Sequence, residues 1–148
     1  MFKTLSAAIG LVVLASPSIA HTQADTTKAV TAFVANYQKL YNDKDADGIA
    51  ALFADDGVQS APGQLLTNRA DIAKRYKAMF NAGGIDYHVT VQQMQAEGNI
   101  VFIIGQFVSK KDATHEINGH FVDILEWDGD ALKFRVLSFN VSPPPAQR

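Results

Sequence analysis

Two polar residues occupy positions where the sequence pattern predicts a protein interior. Alternation along residues 118–127 predicts a strand and places Asp123 on the same face as Phe121 and Leu125. A carboxylate among apolar side chains must find hydrogen-bond donors or keep its proton, because an uncompensated buried charge is too costly. A protonated carboxyl group donates a hydrogen bond. Asp123 is therefore a candidate for holding an oxygen of a ligand, and Tyr37 is a candidate for the same task.

Tyr37 lies on the apolar stripe of the predicted first helix, where a phenol needs a polar partner or a ligand. On the predicted last strand, Arg135 lies on the same face as Phe139. This strand neighbours the Asp123 strand across an Asp-Gly turn. Two interpretations stay open. In the first, Asp123 and Arg135 form a cross-strand pair and Tyr37 is a core aromatic residue. In the second, Tyr37 and Asp123 converge on an oxygen of a small ligand in an apolar pocket.

The elements that must position these residues are three helices followed by a run of strands. Apolar stripes predict a first helix capped by Asp25 or Thr26, a second that includes Phe53 and stops at Asp55, and a third that follows Asn68 and carries Tyr76 on its stripe. Four long strands follow, at about Ile85–Ala96, Ile100–Ser109, His115–Trp127 and Ala131–Ser142, with a short strand at Val58–Ala61 between the second and third helices. This order is typical of an α+β fold, in which helices cover one face of a curved antiparallel sheet.

The N-terminal segment and the composition of the chain limit the classes of protein to which it can belong. Residues 1–20 combine Lys3, an apolar run and Ser18-Ile19-Ala20, which predicts a cleavable signal peptide cut after Ala20. The run is too short to span a bilayer, so we expect a periplasmic or secreted protein with no membrane insertion after cleavage. Residues 21–148 are expected to form a single domain without disulfides, since the chain has no cysteine. With 13 basic and 15 acidic residues and no basic stripe, no nucleic-acid partner is expected.

No metal or other cofactor is expected. The segment Asp43–Gly48 resembles the opening of a calcium loop, but the twelfth position, which requires glutamate, is Ala54. A polar turn with an aspartate cap is the simpler interpretation. His88, His115 and His120 have no neighbouring Cys/His cluster. Glycine-rich phosphate loops, Gly-x-Ser-x-Gly motifs and cysteine nucleophiles are absent from the sequence, which excludes the commonest hydrolase and nucleotide-binding motifs.

Several segments occur in an order typical of one superfamily. They are Ala35-Asn36-Tyr37, Asp55-Asp56-Gly57-Val58, Ala61-Pro62, Arg69-Ala70-Asp71-Ile72 and residues 122–128. Together they resemble the nuclear-transport-factor-2-like superfamily, in its SnoaL-like and ketosteroid-isomerase-like branch. The resemblance implies a cone, in which three N-terminal helices wrap a curved antiparallel sheet around an apolar cavity. It also implies a homodimer joined through the outer face of the sheet.

The resemblance assigns roles to single residues. In ketosteroid isomerases, a tyrosine of the first helix and an aspartic acid of the penultimate strand form an oxyanion hole, and these positions match Tyr37 and Asp123. The general base, an aspartate before the proline that ends the first strand, matches Ala61. Alanine cannot transfer a proton, which argues against the isomerase reaction itself. Phe139 matches an aromatic wall of the pocket, and Arg135 would hold an anionic ligand there.

Two functions of different classes follow. The first is an exported protein that binds a small, largely apolar ligand, with isomerase, cyclase or hydrolase activity left open. The second is a non-catalytic dimerisation or interaction module of the cell envelope. A cavity that keeps Tyr37 and Asp123 together favours the first, and a cavity filled by Phe33, Phe53, Met79 and Phe139 favours the second. The expected ligand-binding residues are Phe33, Phe53, Tyr76, Phe121, Arg135 and Phe139.

Overall fold

The structure is a computed structural model that describes residues 21–83, 85–110 and 115–143, without the side chain at position 85. The predicted signal peptide lies outside the described residues. The elements run in the order α1 (Gln23–Asn42), α2 (Ala46–Ala51), β1 (Phe53–Ala61), β2 (Gln64–Leu66), α3 (Arg69–Asn81), β3 (Ile85–Glu97), β4 (Ile100–Lys110), β5 (Glu116–Asp128) and β6 (Ala131–Val141).

Each helix begins at a polar cap. The side chain of Thr22 accepts a hydrogen bond from the amide of Asp25 at 3.1 Å and begins α1. Asp45 accepts from the amide of Gly48 at 2.8 Å and begins α2, so the segment that resembles a calcium loop is a capped turn. Asn68 begins α3 as predicted. Each cap satisfies a backbone amide that the start of a helix leaves without an intrahelical partner.

The strands form one six-stranded sheet in the order β2-β1-β6-β5-β4-β3. All neighbours are antiparallel except β1 and β6, which are parallel. The predicted start of α1, end of α2 and start of β1 were wrong. Helix α1 begins at the Thr22 cap and not at Asp25 or Thr26, because the Thr22 side chain accepts from the Asp25 amide. Phe53 begins β1 instead of ending α2, because it pairs with Phe134 and the carbonyl of Leu52 accepts the amide of Phe134 at 2.8 Å. The short strand β2 was not predicted.

The predicted alternation of β5 is confirmed. Phe121, Asp123 and Leu125 are buried on the inner face, and Val122 is 53 % exposed on the outer face. The helices cover the inner face of the curved sheet, as the α+β prediction requires. Side chains of α1 also bind the edge strand β3: Gln38 accepts from the amide of Val89 at 3.0 Å. These bonds fix α1, and with it Tyr37, against the sheet.

Candidate functional site

A cavity of about 200 Å³ lies between helices α1 and α3 and the inner face of the sheet. Aromatic and aliphatic side chains form most of its wall. An apolar cavity of roughly 150 Å³ accommodates benzene, so this cavity has room for about one substituted ring. It includes these residues predicted for the site: Tyr37, Tyr76, Phe121, Asp123 and Phe139.

Three other residues predicted for the site do not line this cavity. Phe33 and Phe53 pack on Phe134, with ring centroids 4.7 and 5.1 Å away, and it is Phe134 that reaches the cavity. Both are core residues. They do not fill the space between Tyr37 and Asp123, which are both cavity residues.

The prediction that Arg135 faces the pocket was wrong, and a β-bulge explains the error. The β5–β6 register shifts between Ile124, which pairs with Val136, and Leu125, which pairs with Phe134. The extra residue breaks the simple alternation that puts Arg135 on the same face as Phe139. Arg135 instead forms an ion pair with Asp56 at the surface. The cross-strand pair with Asp123 is therefore not formed.

Asp123 is buried, and its carboxyl oxygen Oδ1 accepts a hydrogen bond from the amide of Ser138 at 2.9 Å. Burial raises the pKa of Asp123 to about 8, against the smaller lowering effect of the Ser138 amide. The carboxyl group is consequently protonated at neutral pH. Because Ser138 occupies one oxygen, the other carries a proton that is available to an acceptor in the cavity.

A hydrogen-bond chain leads from the sheet to Tyr37. The amide nitrogen Nε2 of Gln59 donates to the hydroxyl of Tyr76 at 2.9 Å, and the hydroxyls of Tyr76 and Tyr37 are 2.9 Å apart. Either of the two tyrosine hydroxyls can be the donor in this contact, because a hydroxyl oxygen accepts up to two hydrogen bonds. When Tyr76 donates to Tyr37, the proton of Tyr37 is left for a further acceptor. Gln59 is fully buried, and its Oε1 has no hydrogen-bond partner among the described residues.

All four tyrosines of the chain line this cavity. The rings of Tyr41 and Tyr87 stack with centroids 4.1 Å apart, and the Tyr41 hydroxyl is 3.4 Å from Oγ of Ser109. Burial is the main cause that raises the pKa of each of the four, so all are neutral hydroxyl groups at physiological pH.

Sequence reasoning missed Tyr41, Tyr87, Ser109, Gln59 and Arg75. Tyr41 lies on the apolar stripe of α1, which was a usable signal. The presence of Gln59 beside the cavity depends on how β1 packs under α3, which the sequence pattern does not report.

The cavity offers little for proton abstraction. Asp123 is the one carboxylic acid among the described lining residues, and none of those residues is a histidine. Asp56, Ser60 and His88, polar residues that could in principle replace the base absent at Ala61, do not line it. Within the described ranges, no group of three or more His, Asp or Glu side chains is arranged to hold a metal ion.

Comparison with known families agrees with this geometry. Residues 23–134 match the family model of the SnoaL-like domain. The chain belongs to the SnoaL-like domain family. No curated protein sequence matches this chain significantly. Among the described residues, no helix is long and apolar enough to cross a membrane.

Solved structures share the fold of this SnoaL-like domain. A variant of Rv3472 from Mycobacterium tuberculosis, a protein of unknown function, has a TM-score of 0.74 at 17% identity, covering 81% of this chain and 78% of that one. A ketosteroid isomerase-like protein from Erwinia carotovora atroseptica has a TM-score of 0.69 at 18% identity, with 79% and 96% covered. A provisionally assigned scytalone dehydratase from Novosphingobium aromaticivorans has a TM-score of 0.70 at 16% identity, with 80% and 85% covered. These likenesses confirm the predicted fold, and the match to the SnoaL-like family model confirms the predicted family.

Proposed function

We propose that this SnoaL-like domain binds a small cyclic compound that carries a carbonyl or similar oxygen. The observation that carries the proposal is the protonated Asp123, which lines a largely apolar cavity together with Tyr37. Both groups have a hydrogen to donate, and both are neutral, so neither needs a counter-ion. An oxygen acceptor on the ligand would replace the water that these donors otherwise require.

The same donors polarise a carbonyl bond, which is the electrophilic half of isomerase, cyclase or dehydratase chemistry. The described lining residues include no general base that is ionised at neutral pH. Any proton abstraction would therefore need water or a basic group on the ligand itself. Binding with carbonyl polarisation is the function that the residues of this chain support.

A pair of probes that differ only in the oxygen tests this function. Acetophenone carries the carbonyl, and ethylbenzene has nearly the same shape without it. We expect wild-type protein to bind acetophenone more tightly by about tenfold, the usual effect of a buried hydrogen bond. Asp123→Leu should lose that preference and still bind ethylbenzene. Equal affinities for both probes in the wild type, measured by NMR titration, would overturn the proposal.

We also propose that residues 1–20 direct export and are removed. The support is the sequence pattern: a basic start, a short apolar run and small residues before His21. The match to the SnoaL-like domain begins only at residue 23. Expression of the full chain in a bacterium and intact-mass measurement of the periplasmic fraction tests it. Uncleaved protein in the cytosol would contradict export.

A homodimer is the third proposal, supported by an apolar outer patch on the sheet, defined here as Phe102, Ile104, Val122 and Ile124. Phe102 pairs with Ile124 and Ile104 pairs with Val122 across β4 and β5, so the four side chains are adjacent. Three of them are 39–53 % exposed. A second copy of the same patch would cover this apolar surface, and the mass of the protein in solution tests it.

A further inference from the structure

Arg75 is the one positively charged side chain among the described residues that line the cavity. It lies on α3, lines the cavity and places its guanidinium carbon 5.6 Å from the ring centroid of Tyr76 and 5.5 Å from that of Phe139. An arginine stacked on two aromatic rings keeps a fixed orientation, and its planar face is occupied by the rings. The N–H groups at the edge of the guanidinium are the part that a ligand would meet.

The charge of Arg75 has no carboxylate partner among the described residues, unlike that of the other arginines there. Nη1 of Arg69 is 2.7 Å from Oδ1 of Asp55, and Arg135 pairs with Asp56. Asp123, the carboxylic acid of the cavity, is protonated at neutral pH and does not neutralise it. A half-buried arginine with unused donors beside an apolar cavity is suited to an anion.

The cavity has a solvent-exposed end and a buried end. Ile117 and Val141 line it and are 37 % and 45 % exposed, which places its mouth at the start of β5 and the end of β6. Phe139, under Arg75, pairs with Phe121, and Asp123 lies two residues further into β5. That spacing is about 7 Å along the strand. Arg75 is therefore nearer to the mouth than Asp123.

We propose that Arg75 binds a carboxylate of the ligand, so that the site takes a small aromatic or cyclic acid whose second oxygen reaches Asp123. The inference rests on the proposed function, which supplies the oxygen contact at the buried end. A ring with substituents at opposite positions is long enough to cover the strand spacing of about 7 Å between Phe121 and Asp123. A carboxylate fits better than a phosphate, because one guanidinium satisfies a planar monoanion, and the described cavity walls hold no second cation.

The test uses three probes of one shape: 4-acetylbenzoate, the neutral 4-acetylbenzamide and 4-ethylbenzoate, which lacks the ketone oxygen. Dissociation constants are measured for the wild type, Arg75→Met and Lys74→Met. Methionine keeps the apolar stem without the charge, and Lys74 is an exposed neighbour of Arg75 on the same helix. Thermal unfolding of each variant checks that it is folded.

We expect the wild type and Lys74→Met to prefer 4-acetylbenzoate over 4-acetylbenzamide by about tenfold or more, as for a charge-assisted hydrogen bond. Arg75→Met should bind the two equally. An unchanged preference in Arg75→Met, or no preference in the wild type while both ketones bind, would overturn the role of Arg75 and leave the proposed function intact. If 4-ethylbenzoate binds as tightly as 4-acetylbenzoate, or if no probe binds, the proposed function itself is contradicted.

Discussion

Asp123 shows how one residue's environment decides its chemistry. On the surface it would be an anion, but the inner face of β5 removes it from water and leaves the Ser138 amide as its hydrogen-bond donor. One amide hydrogen bond stabilises the ionised carboxylate less than burial destabilises it, so the pKa of Asp123 is raised to about 8. The residue thereby gains a proton to donate, while its Oδ1 still accepts from the Ser138 amide.

The first prediction concerns protein stability. The pKa of Asp123 is about 8 in the folded protein, against 3.8 for an aspartate exposed to water, so the folded state binds the proton more tightly. This stabilisation is complete below about pH 4 and is lost as the pH rises to about 8, at roughly 1.4 kcal/mol per pH unit. Asp123→Asn has a similar shape and does not titrate. Urea unfolding between about pH 5 and 8 should show a steeper loss in the wild type than in Asp123→Asn, and equal slopes would contradict the assignment.

A second prediction concerns Tyr37. Its hydroxyl contacts that of Tyr76, so Tyr37→Phe removes one buried hydrogen bond, while Gln59 continues to donate to Tyr76. We expect the free energy of unfolding to fall by about 1 kcal/mol. The preference for acetophenone over ethylbenzene should also decrease. A large loss of stability with an unchanged preference would assign Tyr37 to the core alone.

At the scale of single residues, the sequence was informative where burial conflicts with polarity. Asp123 among apolar neighbours and Tyr37 on an apolar stripe are such conflicts, and both line the cavity. Arg135 was misplaced because one extra residue in β6 changes which side of the sheet a side chain faces. Arg75 and Gln59 were missed because each is ordinary in its own element, and only packing between elements brings them to the site.

At the scale of elements, the four long strands and the starts of α2 and α3 were predictable from apolar periodicity and polar caps, whereas α1 begins earlier than predicted, at the Thr22 cap. The boundary between α2 and β1 was not, because Phe53 is apolar in either element and its pairing with Phe134 is a long-range contact. Bulges follow the same rule. A register shift depends on the partner strand, and no local pattern in the sequence marks it.

The third prediction concerns β4. A Cβ atom at Gly105 would lie 2.1 Å from the carbonyl oxygen of Thr90 and 2.5 Å from Cζ of Phe121, a wall of the cavity. Gly105→Ala therefore forces the sheet or the wall to move, and we expect a loss of about 1–3 kcal/mol in unfolding free energy. Gln106→Ala, at the exposed neighbour, should change it by less than about 0.5 kcal/mol. Equal stability of the two variants would contradict this packing.

At the scale of the whole molecule, the two faces of the sheet have different tasks. The inner face and the helices enclose the cavity, and the outer face carries the outer patch. Val122 is the most exposed member of that patch, so Val122→Lys should separate the proposed dimer into monomers. Thr31→Lys, on an exposed position of α1, is the matched control. Light scattering after size exclusion measures both, and a dimer that survives Val122→Lys would exclude this face.

The measurement that tests the central claim most directly is the pH dependence of acetophenone binding. If protonated Asp123 holds the carbonyl oxygen, the affinity of the wild type should be constant up to about pH 8 and then fall by about the tenfold that the hydrogen bond contributes. Asp123→Asn keeps a donor at that position without a titrating proton, and its affinity should stay constant over the same range. A wild-type affinity that is unchanged through pH 10, or that already falls near pH 4, would contradict the account.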